Sequence, residues 1–207
     1  DWYDKNECHS GDPNVHDRSN GRIFKVSYGE TKAEPVDLQK KSDEDLIRLA
    51  LDRNDWFGHH APRILQERAQ TIPTLRQKVS QSITGEPPGH HPDKKLRWLW
   101  TAHTAGSFHP MYALARANEY VRAWAIQLLC EDKKVSENVL KEFARLARGD
   151  KSPVVRLYLA SAMQRLPIED RWEVVEALSQ HAEDANDHNL PLMVWYAAEA
   201  LPTKDFK

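Results

Sequence analysis

The sequence has little of what most catalytic motifs require. Glycine occurs only 8 times in 207 residues, and the chain contains no glycine-rich phosphate loop and no Gly-x-Ser-x-Gly element. No paired carboxylates stand out from the general charge pattern. These gaps disfavour an active site within residues 42–207, and we predict no catalytic, cofactor-binding or metal-binding residues in this chain.

Cysteine is equally scarce. Cys8 and Cys130 are the two cysteines, and neither belongs to a CxxC or CxxCH motif. A disulfide between them and two free thiols are both open alternatives. Cysteine usage therefore does not decide the redox compartment.

A surplus of positive charge and a long apolar run are also missing. The formal net charge is -2, which disfavours a dedicated nucleic-acid binder because phosphate neutralisation needs clustered Lys and Arg. No apolar run approaches the roughly 18 residues that a membrane span needs, and the N-terminus is no signal peptide. We expect no nucleic-acid partner and no direct membrane insertion. Asp1 stands where an initiator Met would be, which indicates processing or a segment cut from a longer chain.

One helical pattern occurs several times. Val155, Leu159, Ala162, Met163 and Leu166 lie at i, i+4, i+7, i+8 and i+11, which is one stripe of an α-helix. Versions of this stripe begin at five anchors, separated by 39, 25, 34 and 38 residues: Phe57, Leu96, Val121, Val155 and Met193. A period of that size indicates an array of helix pairs.

The best copy, Asp150 to Leu166, resembles the second helix of a HEAT-like repeat, with Val-Arg followed by spaced alanines. Small residues at this spacing let neighbouring helices approach and share one core. We therefore predict an all-α fold over residues 42–207, a HEAT-like α-α superhelix of about five helix pairs. An irregular helical bundle is the alternative.

Local signals place the first helix ends. Ser42 is predicted to be an N-cap. Pro62, inside the helix that bears Phe57, predicts a kink or a late start. Asp93 is positioned to cap a helix over residues 94–104.

The second half is more regular. Residues 111–117 predict a short helix at best, which accounts for the 25-residue step between anchors. Ser136 is predicted to cap a helix that ends at Gly149. Residues 168–181 are predicted to form the partner of the last helix.

Residues 1–41 do not follow the helical pattern. Phe24, Val26 and Tyr28 alternate with polar residues, which predicts one β-strand, and Trp2 and Tyr3 are candidates for a second. Two strands alone are marginally stable in water, so we expect a larger sheet upstream. Residues 30–41 are predicted to be a linker.

A second resemblance concerns this segment. Asp1-Trp2-Tyr3-Asp4-Lys5, followed by Asp17-Arg18-Ser19-Asn20-Gly21-Arg22, resembles the closing blade of the six-bladed propeller in large bacterial membrane-bound dehydrogenases. These proteins are similar to quinoprotein glucose and sorbosone dehydrogenases, and they carry helical repeats followed by a c-type cytochrome. The resemblance implies pyrroloquinoline quinone, Ca²⁺ and haem c in the parent protein, with no cofactor in this segment. It also implies export or a periplasmic location.

Several polar clusters are candidates for chemistry. Cys8, His9, Asp12 and His16 share one loop with ligand types that suit Zn or Cu, but adjacent Cys8 and His9 fit a four-ligand site poorly. Surface residues are the favoured interpretation. The same holds for the remaining histidines considered, which are His59, His60, His90, His91, His103 and His109.

Two further groups are interpreted as structural. Asp150 and Arg156 invite an ion-pair role, and in repeat arrays such residues bridge consecutive repeats. Core packing is expected for the tryptophans on helices, and several of them on one open face would instead suggest a peptide or sugar platform: Trp56, Trp98, Trp100, Trp124, Trp172 and Trp195.

Three functions follow. The first is a non-catalytic repeat module, a scaffold or protein-interaction domain within a propeller-type dehydrogenase, bound to a protein partner or to neighbouring domains of the same chain. The second is a free-standing protein-binding scaffold with no enzymatic parent. The third, disfavoured by charge, is a HEAT-like DNA glycosylase.

Overall fold

The computed structural model describes residues 11, 12, 14, 23–30, 35–83, 92–107 and 110–203. Regular structure in these residues is helical, and none of them lies in a β-strand. The chain divides into two compact units, residues 1–36 and residues 37–207. The two units are described separately.

The described part of the second unit contains ten α-helices. In chain order they are α1 (Asp43–Ala50), α2 (Asp55–Thr71), α3 (Pro73–Ile83), α4 (Pro92–Thr104), α5 (Pro110–Leu114), α6 (Glu119–Leu129), α7 (Glu137–Gly149), α8 (Pro153–Met163), α9 (Trp172–Ser179) and α10 (Leu190–Ala198).

These helices pack in a regular order. Each odd-numbered helix contacts the even-numbered helix that follows it, and α2, α4, α6, α8 and α10 contact one another in sequence. On the other side α1 contacts α3, and α7 contacts α9. The all-α prediction is confirmed for the described residues, which form successive packed helix pairs.

The predicted stripe lies in the core. Val155, Leu159, Ala162, Met163 and Leu166 are all buried, with no more than 3% of any of them exposed. Burying a side chain such as Leu159 contributes about 1.5–3 kcal/mol to the free energy of unfolding. The stripe is therefore the apolar seam along which α8 joins its neighbours.

Small buried residues recur on the even-numbered helices. Ala125, Ala162 and Ala197 are buried on α6, α8 and α10, and these helices contact one another in that order. Because a methyl group takes little room, alanine permits close packing of neighbouring helices. The repeat spacing thus places a small buried residue on each of these three helices.

The first helix ends agree only in part with prediction. The Ser42 hydroxyl accepts a hydrogen bond from the Asp45 amide at 3.1 Å, as expected of an N-cap. The helix predicted over residues 94–104 begins earlier, at Pro92, so Asp93 lies in its first turn and not at the cap. Proline is favoured at a first helical position because its fixed φ suits the helix.

A late start for α2 was a wrong prediction. Asn54 caps α2 by accepting a hydrogen bond from the Trp56 amide at 3.0 Å, and the helix continues through Pro62 to Thr71. Because Asn54 caps the helix, α2 begins before Pro62 and not at it.

The C-terminal half follows the predicted order with shorter elements. α5 is short, and Gly149 ends α7, whereas Ser136 precedes α7 without a side-chain capping bond. The single helix predicted over residues 168–181 is a 3-10 turn (Ile168–Asp170) followed by α9. Arg171 stabilises that turn by donating to the Leu166 carbonyl from Nε at 2.9 Å and Nη2 at 2.7 Å.

The first unit is described in few residues. Residues 23–27 form no regular secondary structure, and Ile23, Val26 and Tyr28 are fully exposed. The predicted strand is therefore not formed in the described residues, because a strand requires a neighbour for its backbone N–H and C=O groups. Trp2 and Tyr3 lie outside the described residues.

Part of the predicted linker packs with the helices. Leu38 is buried in the core of the second unit, within a 3-10 turn (Leu38–Lys40). Arg68 on α2 donates to the Gln39 carbonyl at 2.7 Å and to Asp43 Oδ1 at 2.6 Å. These bonds attach the turn and α1 to α2.

Candidate functional site

The most regular polar feature is an arginine at the second position of the repeated stripe. On α6, Arg122 donates from Nε and Nη2 to the two carboxylate oxygens of Asp150, at 2.7 and 2.8 Å. Its Nη1 donates to the Arg116 and Ala117 carbonyls, both at 2.8 Å. The Asp150 side chain is 5% exposed, so this bidentate pair is largely shielded from water.

The same contact recurs on α8. Arg156 donates to Asp184 from Nε at 2.6 Å and from Nη2 at 2.5 Å, and its Nη1 donates to the Asp150 carbonyl at 2.8 Å. The hydrogen bonds to Asp184 raise the pKa of Arg156. Both arginines reach a carboxylate 28 residues further along the chain.

Asp150 therefore takes part in two contacts. Its carboxylate binds Arg122 and its carbonyl binds Arg156, while Asp184 binds Arg156. We call these four residues the arginine relay. The structural interpretation of Asp150 and Arg156 agrees with this geometry, but their side chains bind different partners and not each other. The sequence signal that locates the relay is a Val-Arg pair with an Asp 28 residues after the Arg.

The first repeats use a different arrangement. Arg97 on α4 donates to the Asp52 carbonyl at 3.0 Å and also bonds Asp55, both near the start of α2. A Cβ at Gly58 would lie 1.8 Å from Nη1 of Arg97. Gly58 stands at the position where α4, α6 and α8 carry Arg, and the guanidinium of Arg97 fills the space beside it.

Aromatic rings form a second repeated feature, the aromatic row of Trp100, Trp124 and Tyr158. Trp100 and Trp124 meet edge to face with centroids 5.0 Å apart, and Trp124 lies 6.3 Å from Tyr158. Contacts of this kind contribute about 0.5–1.5 kcal/mol per pair beyond simple burial. The row links α4, α6 and α8 along one side.

Core packing was expected for all six helical tryptophans, and this prediction is wrong for three. Trp98 is 7% exposed, and Trp100 and Trp124 are partly buried. By contrast, Trp56, Trp172 and Trp195 are 45%, 50% and 60% exposed. Exposed tryptophans are common at binding surfaces because they combine a large apolar area with one polar N–H.

An open groove of about 430 Å³ lies between α7 and α9. Nη2 of Arg148 and Oε1 of Glu173 are 2.5 Å apart across it. His181 faces the Ala147 carbonyl through Nε2 and Glu183 through Nδ1, each at 2.7 Å. The charges of Arg148 and Glu173 therefore offset each other at this groove.

The described histidines are not brought together. His59 and His60 donate from Nδ1 to the Asp55 and Trp56 carbonyls, at 2.6 and 2.7 Å. His103 contacts Glu131 through Nε2 at 2.8 Å. Among the described residues, no group of three or more His, Cys, Asp or Glu side chains is arranged to hold a metal ion.

The loop of Cys8, His9, Asp12 and His16, for which surface residues are the favoured interpretation, is described only in part. Asp12 accepts a hydrogen bond from the Asn14 amide at 2.9 Å. The other loop candidates and three of the histidines lie outside the described residues: Cys8, His9, His16, His90, His91 and His109.

Cys130 is a buried free thiol at the end of α6. Burial raises its pKa to about 12, because the apolar surroundings disfavour the thiolate. Its burial and raised pKa favour a packing role for this cysteine.

No family model, curated protein or solved structure matched this chain. In the part of the chain that the structure describes, no helix is both long enough and apolar enough to cross a membrane.

Proposed function

We propose that this chain is a HEAT-like repeat module that acts as a scaffold or protein-interaction domain and does not itself catalyse a reaction. The observation that carries the proposal is the arginine relay. It repeats one contact, with one spacing of 28 residues, from an even-numbered helix to the segment that precedes the next even-numbered helix. A repeated contact of this kind is typical of a stacked array whose role is to hold a surface in shape.

The proposal includes a solenoid. The even-numbered helices contact one another in chain order, and α7 contacts α9 in a second layer. In a solenoid each helix pair buries its apolar face against its neighbours only, which this order of contacts supports.

We further propose that the module belongs to a larger propeller-type quinoprotein dehydrogenase. The support is the resemblance of residues 1–29 to a closing propeller blade, together with the helical repeats that follow. The exposed apolar side chains of Ile23, Val26 and Tyr28 are consistent with a strand whose sheet partners lie elsewhere in the protein. In that setting pyrroloquinoline quinone, Ca²⁺ and haem c belong to other domains, a sugar or alcohol is oxidised in the propeller, and the protein is exported. The repeats hold the propeller and the haem domain in register.

The first experiment is to sequence the coding DNA on both sides of this segment. We expect strand-rich blades upstream and a CxxCH motif downstream. The full-length product should then reduce an electron-accepting dye when given the quinone and Ca²⁺, and residues 1–207 alone should not.

Other flanking sequences would decide differently. If neither blades nor a CxxCH motif are found, the dehydrogenase setting is wrong and a free-standing protein-binding scaffold is the remaining account. Dye reduction by residues 1–207 alone would refute the non-catalytic assignment.

A further inference from the structure

Helix α10 leaves an apolar stripe open to water. Leu192, Trp195 and Tyr196 lie at i, i+3 and i+4 on one side of the helix, and they are 51%, 60% and 40% exposed. Leu190 and Ala197 are buried elsewhere on the same helix. A helix that is apolar on most of its surface is normally covered on most of its surface.

The preceding repeat indicates what this stripe does. When Met193 is aligned with Val155, the stripe corresponds to Val154, Leu157 and Tyr158 on α8, which are only partly exposed. Since α8 contacts both α6 and α10, its side chains are covered by neighbouring helices. The corresponding side of α10 is therefore shaped to contact another helix.

That helix need not continue the relay. Val194 occupies the position that Arg122 and Arg156 hold on α6 and α8. Because valine has no N–H donor in its side chain, α10 offers nothing to an aspartate of a further repeat. An occupant joined by apolar contact, and not by the arginine relay, fits this side better.

Charge around the stripe narrows the choice of occupant. Residues 171–207 contain seven carboxylates against three basic residues, Arg171, Lys204 and Lys207. Two of the carboxylates, Glu173 and Asp184, are already paired with Arg148 and Arg156. Glu199 follows Trp195 by one helical turn and is exposed, and Asp187, also exposed, lies just before α10. Two copies of this acidic end would repel each other, whereas a basic segment would be attracted.

We propose that the stripe of Leu192, Trp195 and Tyr196 binds a basic amphipathic helix of a partner protein. The apolar side of that helix covers the stripe, and Lys or Arg residues at its ends meet Asp187 and Glu199. Helix-in-groove recognition uses apolar anchors at this spacing, with flanking charges that select the partner. This inference rests on the proposed role as a protein-interaction module and names the chemistry of its partner.

The test measures the binding of synthetic peptides to the whole chain by fluorescence anisotropy. The first peptide is an amphipathic helix with a Leu and Phe stripe and Lys and Arg at both ends. A second has the same stripe with Glu replacing the basic residues, and a third has the basic composition with the stripe scrambled. We expect the first to bind, and the other two to bind at least about 10-fold more weakly.

Variants of the chain locate the site. Trp195→Ser should weaken the first peptide about 10-fold or more, as expected for a central aromatic anchor. Trp56→Ser, which removes a tryptophan of similar exposure on α2, is the matched control and should leave binding unchanged. Glu199→Lys should weaken the basic peptide and strengthen the acidic one. Circular dichroism establishes that each variant is folded.

Several results would overturn the inference. Equal binding of the scrambled peptide would show attraction by charge alone, and unchanged binding by Trp195→Ser would place the site elsewhere. A concentration-dependent dimer, seen by sedimentation and lost in Trp195→Ser, would identify a second copy as the occupant. Each of these leaves the scaffold proposal standing, because that proposal is decided by the flanking sequence and the activity assay.

Discussion

Replacing Arg156 by methionine tests whether the arginine relay holds adjacent repeats together. The side chain of Arg156 is 4% exposed and that of Asp184 is 14% exposed. Methionine keeps much of the apolar volume but leaves the Asp184 carboxylate and the Asp150 carbonyl without their donor. Breaking a buried ion pair on one side costs about 3–5 kcal/mol. Because Asp184 keeps some contact with water, we expect a loss near the low end, about 3 kcal/mol.

The double variant Arg156→Met with Asp184→Leu distinguishes the free energy of the ion pair from the cost of leaving one buried charge without a partner. With both charges removed, no buried carboxylate is left without a partner, although the Asp150 carbonyl still lacks its donor. The double variant should therefore be more stable than Arg156→Met and remain about 1–2 kcal/mol less stable than the parent chain. The control is Arg48→Met, which breaks the exposed pair with Asp45, whose side chains are 78% and 40% exposed. Exposed pairs of this kind contribute about 0.5 kcal/mol or less.

Urea unfolding at neutral pH, followed by circular dichroism and tryptophan fluorescence, gives the free energy of unfolding and its slope with urea. Disagreement between the two signals would indicate that repeats unfold separately. The reasoning is refuted if Arg156→Met loses no more stability than Arg48→Met. It is also refuted if the double variant is as unstable as Arg156→Met alone.

Three further predictions follow from single contacts. Gly58→Ala should stabilise an Arg97→Ala chain by about 1 kcal/mol, because alanine has a higher helix propensity than glycine. It should not stabilise the parent chain, where the new Cβ meets the guanidinium of Arg97. Thermal unfolding of the parent chain, the two single variants and the double variant measures this coupling. The Glu183 carboxyl has a pKa below its ordinary value of 4.5, chiefly through the hydrogen bond from His181. The ionised Glu183 carboxyl therefore stabilises the folded chain above pH 4.5, and this stabilisation is lost as the pH falls through the lowered pKa. In a plot of the free energy of unfolding against pH, Glu183→Gln should decrease less steeply at acid pH than the parent chain. Cys130, with its pKa raised to about 12, should react with a thiol reagent only after the chain unfolds in urea.

Each of these has a clear contrary outcome. Equal effects of Gly58→Ala with and without Arg97 would show that the two residues do not compete for space. If the parent chain and Glu183→Gln lose stability equally as the pH falls, ionisation of Glu183 does not contribute to stability. Rapid reaction of Cys130 in the folded chain would show that the thiol is accessible.

The helical stripe was predictable because it depends on local periodicity. Val155, Leu159 and Met163 are each four residues apart, and any α-helix places them on one side whatever surrounds it. The relay was half predictable, since Asp150 and Arg156 were assigned to bridging between repeats. Their side-chain partners, Arg122 and Asp184, lie in neighbouring repeats. The pairing therefore depends on how the helices stack, and the residue spacing within one repeat does not determine it.

Exposure was less predictable than helix type. Trp124 and Trp195 both lie on even-numbered helices among apolar residues, but Trp124 has α4 and α8 to cover it whereas Trp195 lies on the last described helix. The alternation of Phe24, Val26 and Tyr28 failed as a strand signal for a similar reason. A strand forms only with a partner, and the described residues provide none.

The arginine relay also constrains where this chain tolerates insertions. Each arginine meets a carboxylate that lies 28 residues away, and the intervening segment holds the rest of an even-numbered helix, a connection and the complete odd-numbered helix that follows. One extra residue between α8 and Asp184 would shift that carboxylate relative to Arg156, whereas an addition before Asp37 would leave both pairs intact. The relay therefore acts as a measure of repeat length, and sequence drift within it should proceed by substitution while changes in length collect outside it.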